Sequence, residues 1–188
     1  MRFFGYTRGN EQRRAYTMTK DKIYIYGKHS VSEALQNNPR AIEKVFFAQE
    51  GGADELKDSI KKANIVIEKY SPTTIIPGID KNTVHQGIIA QISADKLVRP
   101  YKEFVEGLTV TPDTARALLG EIQDPQNVGA IIRSAAAFGI SGVLIPEHNQ
   151  ASITGTVIKA SSGMAFRIPL VSIGNVNTTL RDLKERGF

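Results

Sequence analysis

Glu121-Ile122-Gln123-Asp124-Pro125-Gln126-Asn127-Val128-Gly129-Ala130-Ile131-Ile132-Arg133-Ser134-Ala135 runs from an apolar strand through a polar loop and into a helix. Upstream, Ala115 to Ile122 has the composition of a buried strand. Downstream, Val128, Ile131, Ile132, Ala135 and Phe138 fall on one face at helical spacing, and Gly139 is a left-handed stop. Asn127 occupies an N-cap position. Arg133 falls off the apolar face, and helical side chains lean toward the helix N-terminus, so Asn127 and Arg133 are candidates for one pocket. On spacing alone, a cap and a solvated arginine account for the same two residues. Ligand sites of parallel sheets lie at such strand ends, where exposed helix N-termini favour anionic groups.

The rest of this half continues the alternation. Val143 to Ile145 reads as a strand, Thr154 to Ser162 as a helix closed by Gly163, and Ile168 to Ile173 as a further strand. An amphipathic helix follows from Val176 to Arg186, with Leu180 and Leu183 on its apolar side and Gly187 at its end. This order predicts a parallel sheet with right-handed crossovers over residues 116–188. The alternation would lay down another strand next, so the expectation is an incomplete sheet, marginal alone, from a truncated chain or one completed by a partner.

Residues 21–95 form a second, smaller α/β pattern. Ile23 to Tyr26 reads as a strand ended by Gly27, and residues 30–37 as a helix with Ser30 as N-cap and Glu33 completing a capping box. Val45 to Phe47, Ile65 to Ile67 and Gly87 to Ser93 read as strands, and Asp54 to Ala63 as a helix with Leu56 and Ile60 on one face. Residues 96–115 collect Pro100, Gly107, Thr109, Thr111, Pro112 and Asp113, the composition of a linker carrying one short helix. The fold class is α/β, a small N-terminal domain followed by the first half of a parallel-sheet domain.

Charge is unevenly placed. Of the net +5, residues 1–20 carry Arg2, Arg8, Arg13, Arg14 and Lys20 against the single acid Glu11, and the remainder is close to neutral. Such an arm suits contact with nucleic-acid phosphates, Arg13 and Arg14 foremost, and is equally readable as a solvated extension. The absence of cysteine excludes thiolate nucleophiles and Cys-based zinc sites, and the spacing of His29, His85 and His148 makes no metal site. There is no run of about 18 apolar residues and no signal-peptide pattern, so the expected location is cytoplasmic with no membrane partner. Ser161 and Ser162 read as a helix end, and Gly51-Gly52 as a loop without the lysine of a phosphate-binding motif.

The stretch Asp124 to Ala135 resembles the first signature motif of the SpoU/TrmH family of RNA ribose 2′-O-methyltransferases. Tyr26-Gly27-Lys28-His29-Ser30-Val31 and Val84-His85-Gln86-Gly87-Ile88 resemble hallmarks of that family's N-terminal substrate-binding domain. The similarity covers about residues 23–188 and is nearest to the branch acting on large-subunit ribosomal RNA, with tRNA-modifying branches close by. The resemblance implies an RNA-binding domain followed by a trefoil-knotted domain that binds S-adenosylmethionine and works as a homodimer on RNA. It places Arg133 at the reacting hydroxyl or its phosphate with Asn127 nearby, and makes Lys28, His29, His85 and Gln86 RNA-contact candidates. For His29 and for the pair His85 and Gln86, local hydrogen bonding is the competing reading. The family's later motifs, which build the knot and most of the cofactor pocket, have no match here. That assigns no cofactor-contacting residue, puts the pocket largely outside this chain, and leaves a non-catalytic RNA-binding module or an inactive remnant as alternatives.

Overall fold

The computed structural model describes residues 22–48, 54–71, 76, 79 and 83–188. The first sheet is mixed. Its strands are β1 (Lys22–Tyr26), β2 (Ile42–Ala48), β3 (Val66–Tyr70) and β4 (Ile88–Ser93), in the spatial order β1-β4-β2-β3. β4 runs antiparallel to both β1 and β2, whereas β2 and β3 are parallel, as expected of strands joined by a helical crossover. Helices α1 (Lys28–Asn37) and α2 (Asp54–Lys62) cover one face, and their Val31, Ala34 and Ile60 join Ile25, Val45, Phe47 and Ile92 in the core.

The second sheet is all parallel. After the short helix α3 (Ala94–Leu97) come β5 (Val98–Pro100), α4 (Tyr101–Glu106), β6 (Ala117–Leu118), α5 (Pro125–Ala137), β7 (Val143–Pro146), α6 (Gly155–Ala160), β8 (Leu170–Ile173) and α7 (Val176–Glu185). Their order is β5-β8-β7-β6. β7 and β8 are buried along most of their length, the pattern of strands covered on both faces. Residues 98–100, which the sequence reading places in a linker, instead pair with Leu170 to Ser172 as the edge of this sheet. A three-residue strand carries no periodicity of its own, so its pairing was invisible in sequence. β6 is likewise shorter than the apolar run around it: Ala117 and Leu118 pair with Val143 and Leu144, after which the chain turns at Glu121 with φ of 54°.

The two sheets share one core. Ile23 and Ile25 of β1, Val31 of α1, Val128 and Ile132 of α5, and Val157 and Ile158 of α6 belong to the same buried cluster. Helix α6 sits against β1, an edge strand, so close that a Cβ on Gly155 would stand 2.1 Å from the Tyr24 carbonyl oxygen. Covering an edge in this way blocks it from pairing with another chain.

An ion pair between a buried carboxylate and an exposed arginine reinforces the junction. Helix α1 begins at Lys28, two residues earlier than the sequence reading has it, and its N-cap is Gly27 at φ 88°, three residues before Ser30, which caps nothing. Glu33, expected to close a capping box, is 7% exposed and accepts two hydrogen bonds from Arg167, from Nε at 2.7 Å and from Nη2 at 2.8 Å. A partner 134 residues away outcompetes a local cap because a paired, buried carboxylate needs a cation more than a helix end needs a second acceptor.

Two outcomes follow for stability. Gly155→Ala should destabilise the chain by about 1–3 kcal/mol, the cost of overpacking against a backbone that cannot yield, measured by denaturant unfolding. The second concerns pH. The Glu33 carboxyl is held below its ordinary value of 4.5, chiefly by the hydrogen bond from Arg167, with the charges of Arg167 and His29 adding to it and burial opposing. A carboxyl depressed in the folded state contributes stability above its unfolded pKa, and that contribution is lost as pH falls through the folded value. The unfolding midpoint should therefore fall more steeply below about pH 4.5 in the wild type than in Glu33→Gln, read by denaturant titrations at several pH values.

Candidate nucleic-acid interface and active-site helix

The loop that leaves β6 is braced before it becomes α5. Gln150, from the loop after β7, brackets the backbone of Ile122: its Oε1 accepts from Ile122 N at 3.0 Å and its Nε2 donates to Ile122 O at 2.8 Å. Gln123 Nε2 donates to the Asn149 carbonyl at 2.9 Å, and Ala151 N donates to Ile122 O. The start of α5 is thereby fixed at the carboxyl end of β6 by side chains from the neighbouring strand's loop.

The cap of α5 is Asp124, not Asn127. The Asp124 side chain accepts from Gln126 N at 2.9 Å, and Pro125 takes the first helical position, where its missing N–H costs nothing. Asn127 is consequently the third residue of the helix, exposed and without a capping role. An aspartate followed by proline is the stronger start signal, and it displaces the asparagine three residues on. Arg133 is exposed, as its place off the apolar face implies. The buried face consists of Val128, Gly129, Ile132 and Ala135, while Phe138, expected in it, is 84% exposed at the C-cap.

Gly129 is where α5 meets α6. A Cβ there would stand 2.4 Å from Ala160 Cβ and 2.8 Å from the Val157 carbonyl oxygen, so only glycine allows the two helices to approach this far. The site helix is in this way seated on α6, which is itself seated on β1.

The four RNA-contact candidates of the first domain are gathered at one end of its sheet. Gln86, at φ 53°, turns its Oε1 to accept from Lys28 N at 2.9 Å. Lys28 Nζ lies 3.0 Å from Glu55, a partly solvated pair. His85 Nδ1 accepts from Gly87 N at 3.1 Å and lies 2.6 Å from the Tyr70 hydroxyl, whose pKa burial raises. His29 is exposed, and its Nε2 stands 3.2 Å from the Ser162 carbonyl oxygen at the end of α6. His85 is thus engaged in local hydrogen bonds, whereas His29 touches the second sheet's helices. Arg13 and Arg14 lie outside the described residues. Among the described residues no group of His, Asp and Glu side chains is arranged to hold a metal ion, and no helix is long and apolar enough to cross a membrane.

The cap assignment separates two substitutions. Asp124→Ala should cost about 1 kcal/mol of stability, whereas Asn127→Ala should stay within about 0.5 kcal/mol of the wild type, measured by thermal or denaturant unfolding.

Comparison with known proteins agrees with this geometry. The SpoU rRNA methylase family model matches residues 115–188, and the RNA 2′-O ribose methyltransferase substrate-binding model matches residues 24–98. The 23S rRNA (guanosine-2′-O-)-methyltransferase RlmB of Xanthomonas axonopodis pv. citri is 33% identical over 178 residues, covering 90% of this chain and 69% of that protein. RlmB of Neisseria meningitidis serogroup B is 34% identical over 167 residues, covering 87% of this chain and 66% of that protein. Among solved structures, the SpoU methyltransferase AviRb of Streptomyces viridochromogenes, in complex with AdoMet, superposes with a TM-score of 0.68 at 19% identity, covering 95% of this chain and 63% of that one. The chain therefore spans about two thirds of the length of these relatives. Its mixed N-terminal sheet followed by an all-parallel sheet is the arrangement of their trefoil-knot type fold, and the chain belongs to the SpoU/TrmH family of RNA ribose 2′-O-methyltransferases.

Proposed function

We propose that this chain belongs to an S-adenosylmethionine-dependent enzyme that methylates a ribose 2′-hydroxyl of ribosomal RNA. The observation that carries the reading is the Asp124 to Ala135 motif, held at the carboxyl end of β6 with Arg133 and Asn127 both exposed. The names of the relatives, RlmB enzymes of the 23S rRNA, support ribosomal RNA as the substrate.

The cofactor supplies an activated methyl group when bound. Among the described residues, the strand ends that would face it are open: a Cβ added at Gly120 or at Gly174 meets no atom within 4 Å. Open backbone of this kind does not form a pocket for S-adenosylmethionine by itself. With about two thirds of the relatives' length spanned, we place most of that pocket outside these residues.

The chain's own contribution is to the nucleophile. A ribose hydroxyl is a poor nucleophile at neutral pH, and the task is to align it and to assist removal of its proton. The Arg133 guanidinium, with its planar fork of donors and no acceptor, holds a phosphate oxygen while orienting the neighbouring hydroxyl, a positioning role rather than that of a base. Asn127 adds a neutral donor and acceptor in the first turn of the same helix. Lys28, His29 and Gln86, on the first domain, contact RNA remote from the reacting ribose. Homodimerisation belongs to the same proposal, as the resemblance to this family implies. The cytoplasm, where ribosomal RNA is found, is the proposed place of action.

The test is transfer of labelled methyl from S-adenosylmethionine to ribosomal RNA by the protein extended to its relatives' full length. Arg133→Ala should lower the rate on the order of 10²-fold or more and leave RNA binding and unfolding midpoint close to wild type. Full activity in Arg133→Ala removes the role given to that residue. RNA binding without any methyl transfer by the extended wild type favours the non-catalytic RNA-binding reading instead.

A further inference from the structure

The face of the first sheet turned away from α1 and α2 carries aromatic rings. Alternation along β1 sends Ile23 and Ile25 into the core and Lys22, Tyr24 and Tyr26 to the reverse side, and along β2 it sends Val45 and Phe47 inward and Lys44 and Phe46 outward. Register places Tyr26, Ile89 and Phe46 in one row across β1, β4 and β2, with Tyr24, Gln91 and Lys44 in the next. The rings of Tyr24 and Phe46 lie 6.5 Å apart between centroids. All three rings are half-buried, bordering the small cluster of Tyr70, Ile76 and Ile89. A face made only to be wetted would be polar, and one made to be covered by a helix would be aliphatic. This one is aromatic at its centre and covered in part by Ile76, which is buried against Tyr70 and Ile89 and leaves the three rings half-exposed beside it.

Cations surround the rings. Lys44 Nζ lies 5.8 Å from the centre of the Phe46 ring, and Lys159 Nζ, from α6, lies 4.7 Å from that of Tyr26. An ammonium at this range is drawn to the ring face by its quadrupole, and the flexible lysine stem lets the charged head turn to a phosphate when a base takes its place. Lys44 is paired with Glu68 at 2.6 Å, a half-exposed pair of small energetic weight. Packing against Phe46 and the Ile89 cluster positions the Tyr24 ring, and its hydroxyl donates a long hydrogen bond of 3.3 Å to Gln91 Oε1, while Gln91 in turn donates to Glu43. The strongly basic residues 1–20 precede β1 directly in sequence.

The face also adjoins the site helix. Lys159 is followed by Ala160, whose Cβ is the atom that bars a side chain at Gly129, and Gly129 stands between Asn127 and Arg133 in α5. One helix, with an interaxial spacing of about 8–10 Å, separates the rings from the residues at the reacting ribose.

We propose that unpaired bases of the RNA stack on Tyr24, Tyr26 and Phe46, with Lys44 and Lys159 on the flanking phosphates, so that the sheet face presents a single-stranded segment to Arg133. The inference rests on the RNA-methylating function proposed above and names where the substrate lies. Rings at this spacing with cations between them are the chemistry that binds single strands irrespective of base. Double-stranded RNA, whose bases are stacked inside the helix, has nothing to offer them.

The experiment uses the full 188-residue chain with oligoadenylate, oligouridylate and a fully paired RNA duplex. With six tyrosines and no tryptophan, stacking is read as quenching of tyrosine emission, and affinity as fluorescence anisotropy of labelled RNA. Both single strands should quench the emission. Tyr24→Leu and Phe46→Leu should each weaken their binding by about five- to a hundredfold while duplex binding changes little. Tyr24→Phe, which keeps the ring, should bind as the wild type does. Lys44→Gln and Lys159→Gln should each flatten the dependence of log affinity on log salt. If a leucine variant loses its fold by circular dichroism, Tyr24→Phe and the two lysine variants decide the matter. Leucine variants that bind single strands as tightly as the wild type overturn this inference alone, because the chain still binds RNA. A wild-type chain that binds none of the three RNAs overturns the RNA-binding reading of the chain and this inference with it.

Discussion

Helix α6 is packed on two sides at distances that forbid a side chain at the point of contact. Toward β1 the forbidden Cβ is its own, on Gly155; toward α5 it belongs to the partner, on Gly129. Van der Waals contact at this range gains many weak attractions at once and leaves no room for adjustment, so α6 works as a spacer of fixed thickness. Everything that joins the two sheets depends on it. The common core of Val128, Ile132, Val157, Ile158 and Ile25 fills the space it defines, and the Glu33–Arg167 pair and the contact from His29 to Ser162 lie along its far end. The arrangement converts a small mixed sheet and a parallel sheet into one body, in which the first domain's surface has a set position relative to Arg133.

How much of this could be read from the chain itself follows from the range of the interactions. Strands with inward alternation, such as Lys22–Tyr26, and helices with a four-residue apolar repeat, such as α2, report their own burial and were legible. The parallel order of the second sheet was legible because strand and helix alternate strictly from β6 onward. What failed was decided by distant partners. Glu33 has the spacing of a capping box, yet Arg167 claims it. β5 is three residues long and exists because β8 offers an edge. Phe138 continues the apolar helical spacing of α5, but the helix ends at Ala137, one residue short of it, and the ring projects into solvent.

The candidate site divides in the same way. Arg133 and Asn127 were legible because the motif is contiguous and because an arginine off an apolar helix face is visible from spacing. The cap at Asp124 is open to reading too, through the aspartate-proline pair, but the polar run from Asp124 to Asn127 offers more than one start, and Asn127 fits the spacing of the apolar face as well. Gln150 could not have been found. A glutamine in a polar loop has no sequence signal, and its bracket around Ile122 becomes apparent only when β6 and β7 are placed side by side.

Backbone conformation marks the same loops independently. The non-glycine residues at positive φ among the described residues are Asn64, Gln86, Glu121, Asn149 and Ser162. Asn64 closes a helix, an ordinary use of asparagine. The other four sit where the arguments above converge: Gln86 beside Lys28, Glu121 at the exit of β6, Asn149 in the loop that braces it, and Ser162 under His29. A residue with a Cβ in the left-handed region costs of order 1 kcal/mol and persists only where its surroundings dictate it. For Glu121 and Asn149 those surroundings are the reciprocal hydrogen bonds of the two loops, so the strain of each turn is offset by the partner that fixes the other. A loop held in this way cannot relax without releasing its neighbour. The start of α5, and with it Arg133, is therefore set by the whole end of the sheet rather than by the local sequence of one turn.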